Sequence, residues 1–180
     1  KAAGVAQPSR PDRPTGKFTL DGLGQALGAT MPEGAIVVDE SVTTGRGFFP
    51  FSAGAPPHDW LNNMGGSIGF GGPVAVGAAV ACPDRKVICM IGDGSYMMAN
   101  SELATAVMMG IPFTVVLTDN RGYGCINRLQ KATGGAPFNN MLDDSYHVNA
   151  ANIDFVAHAR SRGANVVKAA GIAELEAAMH

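Results

Sequence analysis

An aspartate flanked by glycines, Gly92-Asp93-Gly94-Ser95, closes the apolar run KVICMI. Glycine lets a backbone turn sharply and approach an anion closely. The residues that follow read as helical, and free N–H groups at a helix start favour a phosphate. Asp93 and a phosphate would repel each other unless a cation stood between them. Magnesium suits that place, because it takes hard oxygen ligands: one or two protein carboxylates or carbonyls together with phosphate oxygens. Asn120 lies 27 positions further on, at the end of the next apolar run, IPFTVVLTDN. One helix and one strand fill that interval, so Asp93 and Asn120 can stand side by side. The bland alternative is a simple strand-to-helix turn, since glycine-acid turns are common. Nucleotide motifs do not fit. No G-x-x-x-x-G-K-[ST] is present, and neither GDGSYM nor GYGCIN has the third glycine of the dinucleotide fingerprint.

The elements that must position these residues are legible as alternating runs. Residues 19–30 read as a helix with Thr19 as cap and Leu20, Leu23 and Leu27 on one face. AIVVD (35–39) reads as a buried strand, and the Gly-, Pro- and aromatic-rich stretch 43–66 as a long functional loop. GGSIGFGGPVAVGAAVA (65–81) reads as a glycine-rich turn entering a small-residue helix. Then follow a strand at 86–94, a helix at 100–110 stopped by Gly110, and a strand at 111–120. Residues 121–150 read as irregular. A helix at 152–163, a fourth strand at 164–169 and a last helix from 172 complete the pattern. This alternation predicts an α/β fold, a three-layer parallel sheet with helices on both faces. Ligands of such sheets sit beyond the carboxyl ends of the strands. Asp39-Glu40-Ser41, Gly92 to Ser95 and Thr118-Asp119-Asn120 should therefore converge.

Composition narrows the function classes. Thirteen basic and 15 acidic residues give a net charge of −2, which is no basic footprint for nucleic acid. No apolar run is long enough to cross a membrane. Three cysteines without C-x-x-C spacing fit neither a disulfide framework nor a zinc site, and suit the reducing cytoplasm. Charged residues are only 16%, so part of the surface is expected to be covered by a partner. Pro8, Pro11 and Pro14 mark residues 1–18 as a linker into a domain spanning 19–180, itself expected to be cut from a longer chain.

GDGSYMMANSELAT and VVLTDNRGYG resemble the cofactor motif of thiamine-diphosphate (ThDP) enzymes, GDG followed by a pair of asparagines. The likeness runs from residue 19 onward. Residues 35–85 are similar to acetolactate synthases and benzoylformate decarboxylases. Residues 90–180 are similar to the trihydroxycyclohexanedione hydrolases of inositol breakdown, to which the reading leans. The resemblance implies thiamine diphosphate and Mg2+ as cofactors. Asp93, the Asn120 side chain and the Gly122 carbonyl would hold the metal. Gly92, Gly94 and Ser95 would cradle the diphosphate, with Thr43 and Thr44 touching it from a neighbouring strand end. The Gly66 carbonyl would accept a hydrogen bond from the aminopyrimidine, Ser67 would be a further cofactor-binding residue, and Ile68 would prop the cofactor in a bent shape. Asp119 stands where the family usually has its first asparagine. The resemblance places no catalytic residue in this chain. The activating glutamate would come from a pyrimidine-binding domain of the same or another subunit, in a homodimer or tetramer acting on a small carbonyl substrate. The isolated chain would then be inactive. A regulatory domain binding another phosphate ligand through magnesium is the non-enzymatic alternative.

Among the remaining residues, His58, Arg46, Tyr123, Cys125 and Asn127 are candidates for lining a substrate pocket. His158 and Trp60 read as structural, and the pairs Met97-Met98 and Met108-Met109 as core filler.

Overall fold

A computed structural model of the chain describes residues 9–45, 47–135 and 153–179. Its first helix, α1 (Leu20–Thr30), is capped as expected: the Thr19 hydroxyl accepts the Gly22 N–H at 2.9 Å. Arg10 donates to the carbonyls of Gly28 (3.2 Å) and Met31 (2.7 Å), covering orphan acceptors at the helix end. The glycines that weaken α1 as an isolated helix have a packing role. α1 lies on the short helix α2 (Phe48–Ser52), where a Cβ at Gly24 would strike the Phe51 ring and one at Gly28 the Phe51 carbonyl.

The strands are β1 (Ile36–Glu40), β2 (Asp59–Asn62), β3 (Val87–Gly92) and β4 (Thr114–Thr118), all parallel in the order β2-β1-β3-β4. The register pairs Glu40 with Ile91 and Gly92 with Thr118, so the carboxyl ends of the central strands lie along one edge. The alternation within β1 and β3 sorts the core into two layers. Ile36, Val38, Val87, Cys89 and Ile91 face α3 (Gly71–Ala81), α4 (Asp93–Met98), α5 (Ser101–Met109) and α7 (Phe155–Ser161). Val37, Ile88 and Met90 face α1, α2 and the last helix α8 (Ile172–Met179). This is the expected three-layer α/β sheet.

Local differences from expectation have physical causes. The stretch 43–66 contains α2 and β2. β2 is a four-residue edge strand with mostly exposed side chains, so DWLN lacks an apolar run. Within 121–150, Gly124–Ala132 forms α6, which buries none of its residues; residues 136–152 lie outside the described set. Residues 164–169 do not form a strand. They carry no regular structure and pair with no strand among the described residues, and Val167 is 65% exposed. Only Met97 of the methionine pairs packs against the core; Met98, Met108 and Met109 are exposed. Gly110 does stop α5, in the left-handed region at φ 64°. Residues 9–18 carry no helix beyond the α1 cap and are pinned to the domain by Arg10 and by Gly16, whose carbonyl accepts the Ile172 N–H.

The glycines give one stability prediction. Gly28→Ala sets a methyl against a backbone carbonyl that cannot rotate away. Overpacking of this kind costs about 1–3 kcal/mol and the helix gain returns about 1, so the melting temperature should fall by a few degrees. Gly77→Ala on the open face of α3, where nothing lies within 4 Å, should leave it unchanged or raise it. Equal shifts in thermal denaturation would refute the close-approach account.

Candidate cofactor site

Three strand-end loops meet. After β3, Gly92 serves as the N-cap of α4 and Asp93 is its first residue, 2% exposed. Asp93 Oδ1 accepts the Gly94 N–H at 2.8 Å, and Oδ2 is buried with no partner. Burial pushes the Asp93 carboxyl above the ordinary aspartate range. The adjacent Asp119 adds to this, against the pull of the Gly94 and Arg121 amides. Two acids thus face each other at the β3–β4 boundary.

After β4, Asn120 Oδ1 accepts the Gly122 N–H at 2.9 Å and Asp119 Oδ1 accepts that of Arg121 at 3.2 Å, two local turns that shape the loop. Arg121 takes a positive φ of 54° and pairs with Asp119 Oδ2 at 3.3 Å, while its guanidinium lies over the Phe155 ring. Gly122 is buried and Asn120 is exposed.

After β1, Asp39 Oδ1 accepts both the backbone N–H (3.0 Å) and hydroxyl (2.5 Å) of Ser41. Val42 sits at φ 45°, an outlying conformation for a β-branched residue. The loop then returns to the sheet. Thr44 Oγ1 lies 2.7 Å from Thr118 Oγ1, which donates to the Ile91 carbonyl at 3.2 Å. A Cβ on Gly124 would lie 2.8 Å from Thr43, and one on Gly94 2.9 Å from the Tyr123 ring. Thr43, Thr44, Gly92, Asp93, Gly94, Ser95 and the 119–124 loop therefore share one locus. Thr118, at the strand end expected to converge here, closes the hydroxyl chain; that contact with Thr44, 74 residues away, leaves no signal in the sequence.

Gly66, Ser67 and Ile68 stand elsewhere. A Cβ on Gly69 would touch Met98 and Ala99, so their loop lies at the end of α4 while Asp93 lies at its start. Six helical residues span about 9 Å, which makes the combined site elongated. The loop is shaped in advance. Gly65, Gly66 and Gly69 have φ of 112°, 74° and 91°, and the Asn63 side chain brackets Ser67, accepting its N–H at 3.0 Å and donating to its carbonyl at 2.5 Å. Ile68 is held out at 55% exposure.

His58 Nδ1 is 2.7 Å from the Pro56 carbonyl, and Trp60 sits edge-on to Phe49 and His58. His158 meets the buried Tyr96 hydroxyl at 2.9 Å. Cys125 and Asn127 lie in α6, and Arg46 falls outside the described residues. All three cysteines are free. No helix among the described residues is long and apolar enough to cross a membrane.

Residues 45–180 match the family described as thiamine pyrophosphate enzyme, C-terminal TPP binding domain. The chain belongs to this family. A Mycobacterium tuberculosis protein bearing the name of an acetolactate synthase large subunit is 42% identical over 162 residues, 89% of this chain and 32% of that protein. The 3D-(3,5/4)-trihydroxycyclohexane-1,2-dione hydrolase of Bacillus subtilis is 30% identical over 167 residues, 85% of this chain and 24% of its own length. Among solved structures, the thiamine diphosphate-dependent 4-hydroxybenzoylformate decarboxylase of Rhodococcus jostii RHA1 superposes with a TM-score of 0.74 at 26% identity, covering 99% of this chain and 31% of that one. The chain thus spans a quarter to a third of these proteins, and relatives of both kinds align along most of it.

For this TPP-binding domain the donor set can be tested against a metal. Among the described residues no group of three or more His, Cys, Asp or Glu is arranged as a metal cluster. That excludes a carboxylate-rich or His/Cys cage among those residues. It is compatible with magnesium, which needs only one or two carboxylates, with amide, carbonyl and phosphate oxygens completing its shell. The buried, unpartnered Asp93 Oδ2 is the kind of atom a cation would satisfy.

Proposed function

We propose that this domain holds the diphosphate end of thiamine diphosphate through Mg2+, within an enzyme that breaks or forms a C–C bond beside a carbonyl. The observation that carries this reading is the unpartnered oxygen of Asp93, buried at a strand end beside the Asp119–Gly122 turn. Asp93, the Asn120 side chain and the Gly122 carbonyl would hold the metal. Gly92, Gly94, Ser95, Thr43 and Thr44 would surround the diphosphate, using backbone N–H groups and hydroxyls. Gly66, Ser67 and Ile68 would meet the organic end of the cofactor. Thiamine diphosphate, when bound, supplies a carbon nucleophile and an electron sink; the protein's part is placement and electrostatics.

The remaining proposals concern the whole protein. A pyrimidine-binding domain of the same or another subunit would cover the exposed loop around Met64 and Ile68 and bring the activating glutamate, in a homodimer or tetramer. The free cysteines suit a cytoplasmic setting. For substrate the first reading is a cyclic dione of the trihydroxycyclohexanedione type, supported by the resemblance of the stretch NRGYGCINRLQ to such hydrolases, and the 42%-identical relative supports a 2-oxo acid as the second reading.

The test is calorimetric titration of the complete protein with ThDP, with and without Mg2+, followed by turnover assays on pyruvate and on a cyclic dione. Magnesium-dependent binding that needs the thiazolium ring is expected. Magnesium-dependent binding of simple diphosphates equal to that of ThDP would instead favour the regulatory alternative.

A further inference from the structure

One acid at the strand ends has no role in the site so far described. Glu40 is the last residue of β1, and strand alternation sends its side chain to the same face as Ile36 and Val38, toward α3. It is 2% exposed. Its Oε2 accepts the Gly71 N–H at 2.6 Å, and its Oε1 accepts the Gly69 N–H. Burying a carboxylate is costly unless it is satisfied, and here both oxygens are. The α3 helix needs such a group, because Phe70 at its N-cap provides no side-chain acceptor. The first N–H groups of a helix otherwise go unpaired, and a negative charge there is favourable. A Cβ at Gly71 would lie 2.8 Å from Oε2, so the glycine is required by the carboxylate's position.

The bond to Gly69 reaches past the helix into the loop. Asn63 grips that loop at Ser67, and Glu40 grips it at Gly69. Ile68 is the residue between the two grips.

We infer that Glu40 is a positioning residue: its carboxylate, acting with Asn63, fixes the 67–69 turn and thereby the placement of the Ile68 side chain against the cofactor. This rests on the reading of Ile68 given above. Glutamine at position 40 would keep the shape and lose half the function, since its NH2 group would oppose one of the two N–H donors.

The test uses the complete protein with Glu40→Gln, Gly71→Ala, Ile68→Ala and the double variant Glu40→Gln/Ile68→Ala. Hydrogen exchange without cofactor should show faster exchange confined to residues 66–72 in Glu40→Gln, with 74–81 and β3 as protected as before. With cofactor, turnover should fall about tenfold while ThDP affinity changes less than threefold. In the Ile68→Ala background the Glu40→Gln change should cost less than twofold further, because both act through the same side chain. Gly71→Ala, which displaces the carboxylate without removing it, should reproduce these effects and decides the matter if Glu40→Gln does not fold. Loss of protection throughout α3, or full additivity with Ile68→Ala, would reduce Glu40 to a helix cap and overturn the proposal. Failure of the unaltered protein to bind ThDP would instead sink the cofactor reading, while the exchange pattern would still decide whether Glu40 holds the loop.

Discussion

Asp93→Ala is expected to abolish magnesium-dependent ThDP binding in the complete protein. Removing one partner of a desolvated charged contact costs on the order of 2–5 kcal/mol, which is about thirty- to several-thousand-fold in affinity. Asp93→Asn sharpens the test. It keeps the shape of the side chain but removes the charge that, without a cation, lies buried against Asp119 with one oxygen unpaired. The ligand-free protein should therefore melt at the same temperature as the unaltered one or a few degrees higher, while binding is still lost. Such opposition between stability and function is common where a site holds unfavourable groups ready for a ligand. Calorimetry showing unchanged affinity in Asp93→Ala would refute the metal assignment. A destabilised ligand-free Asp93→Asn would refute the account of the charge.

The part of this site that was legible in the sequence is the part built at the ends of buried strands. KVICMI and IPFTVVLT announce themselves by apolar run length, and the residues that follow them fall on one sheet edge because parallel strands share a direction. The nearness of Asp93 to the Asn120 loop thus follows from strand direction and spacing alone. Elements with exposed surfaces left weaker traces. β2 is an edge strand that buries little, and α6 buries none of its residues, so neither carries a core pattern. The opposite error at 164–169 has the same root. ANVVKA has strand-like composition, but strand formation needs a hydrogen-bonding neighbour, and the described fold places none there. Glu40 was hidden differently. Its partners lie 29 and 31 residues away, and only the folded register reveals that an acid at a strand end caps a helix. The exposure of Met108 and Met109 likewise depends on which face α5 turns to the sheet, and two adjacent methionines cannot indicate that.

Ile68→Ala should separate turnover from cofactor affinity more than any other single change in the loop. Ile68 is exposed in the domain itself and packs against no core cluster, so its truncation should alter folding stability by no more than about 0.5 kcal/mol. The loop that carries it has its backbone shaped by three positive-φ glycines and by the Asn63 bonds to Ser67. Under the proposed reading the cofactor is what it packs against. The diphosphate end, some distance away at the start of α4, would be untouched, and ThDP should bind within a few-fold of normal. The reacting end would lose its prop. Misplacement of a reacting group by about 1 Å can cost on the order of a hundredfold, so turnover should fall between about ten- and a hundredfold. Parallel ThDP titration and steady-state assays of the complete protein measure both quantities. Equal losses in the two would place Ile68 among general binding contacts, and no loss in either would remove it from the site.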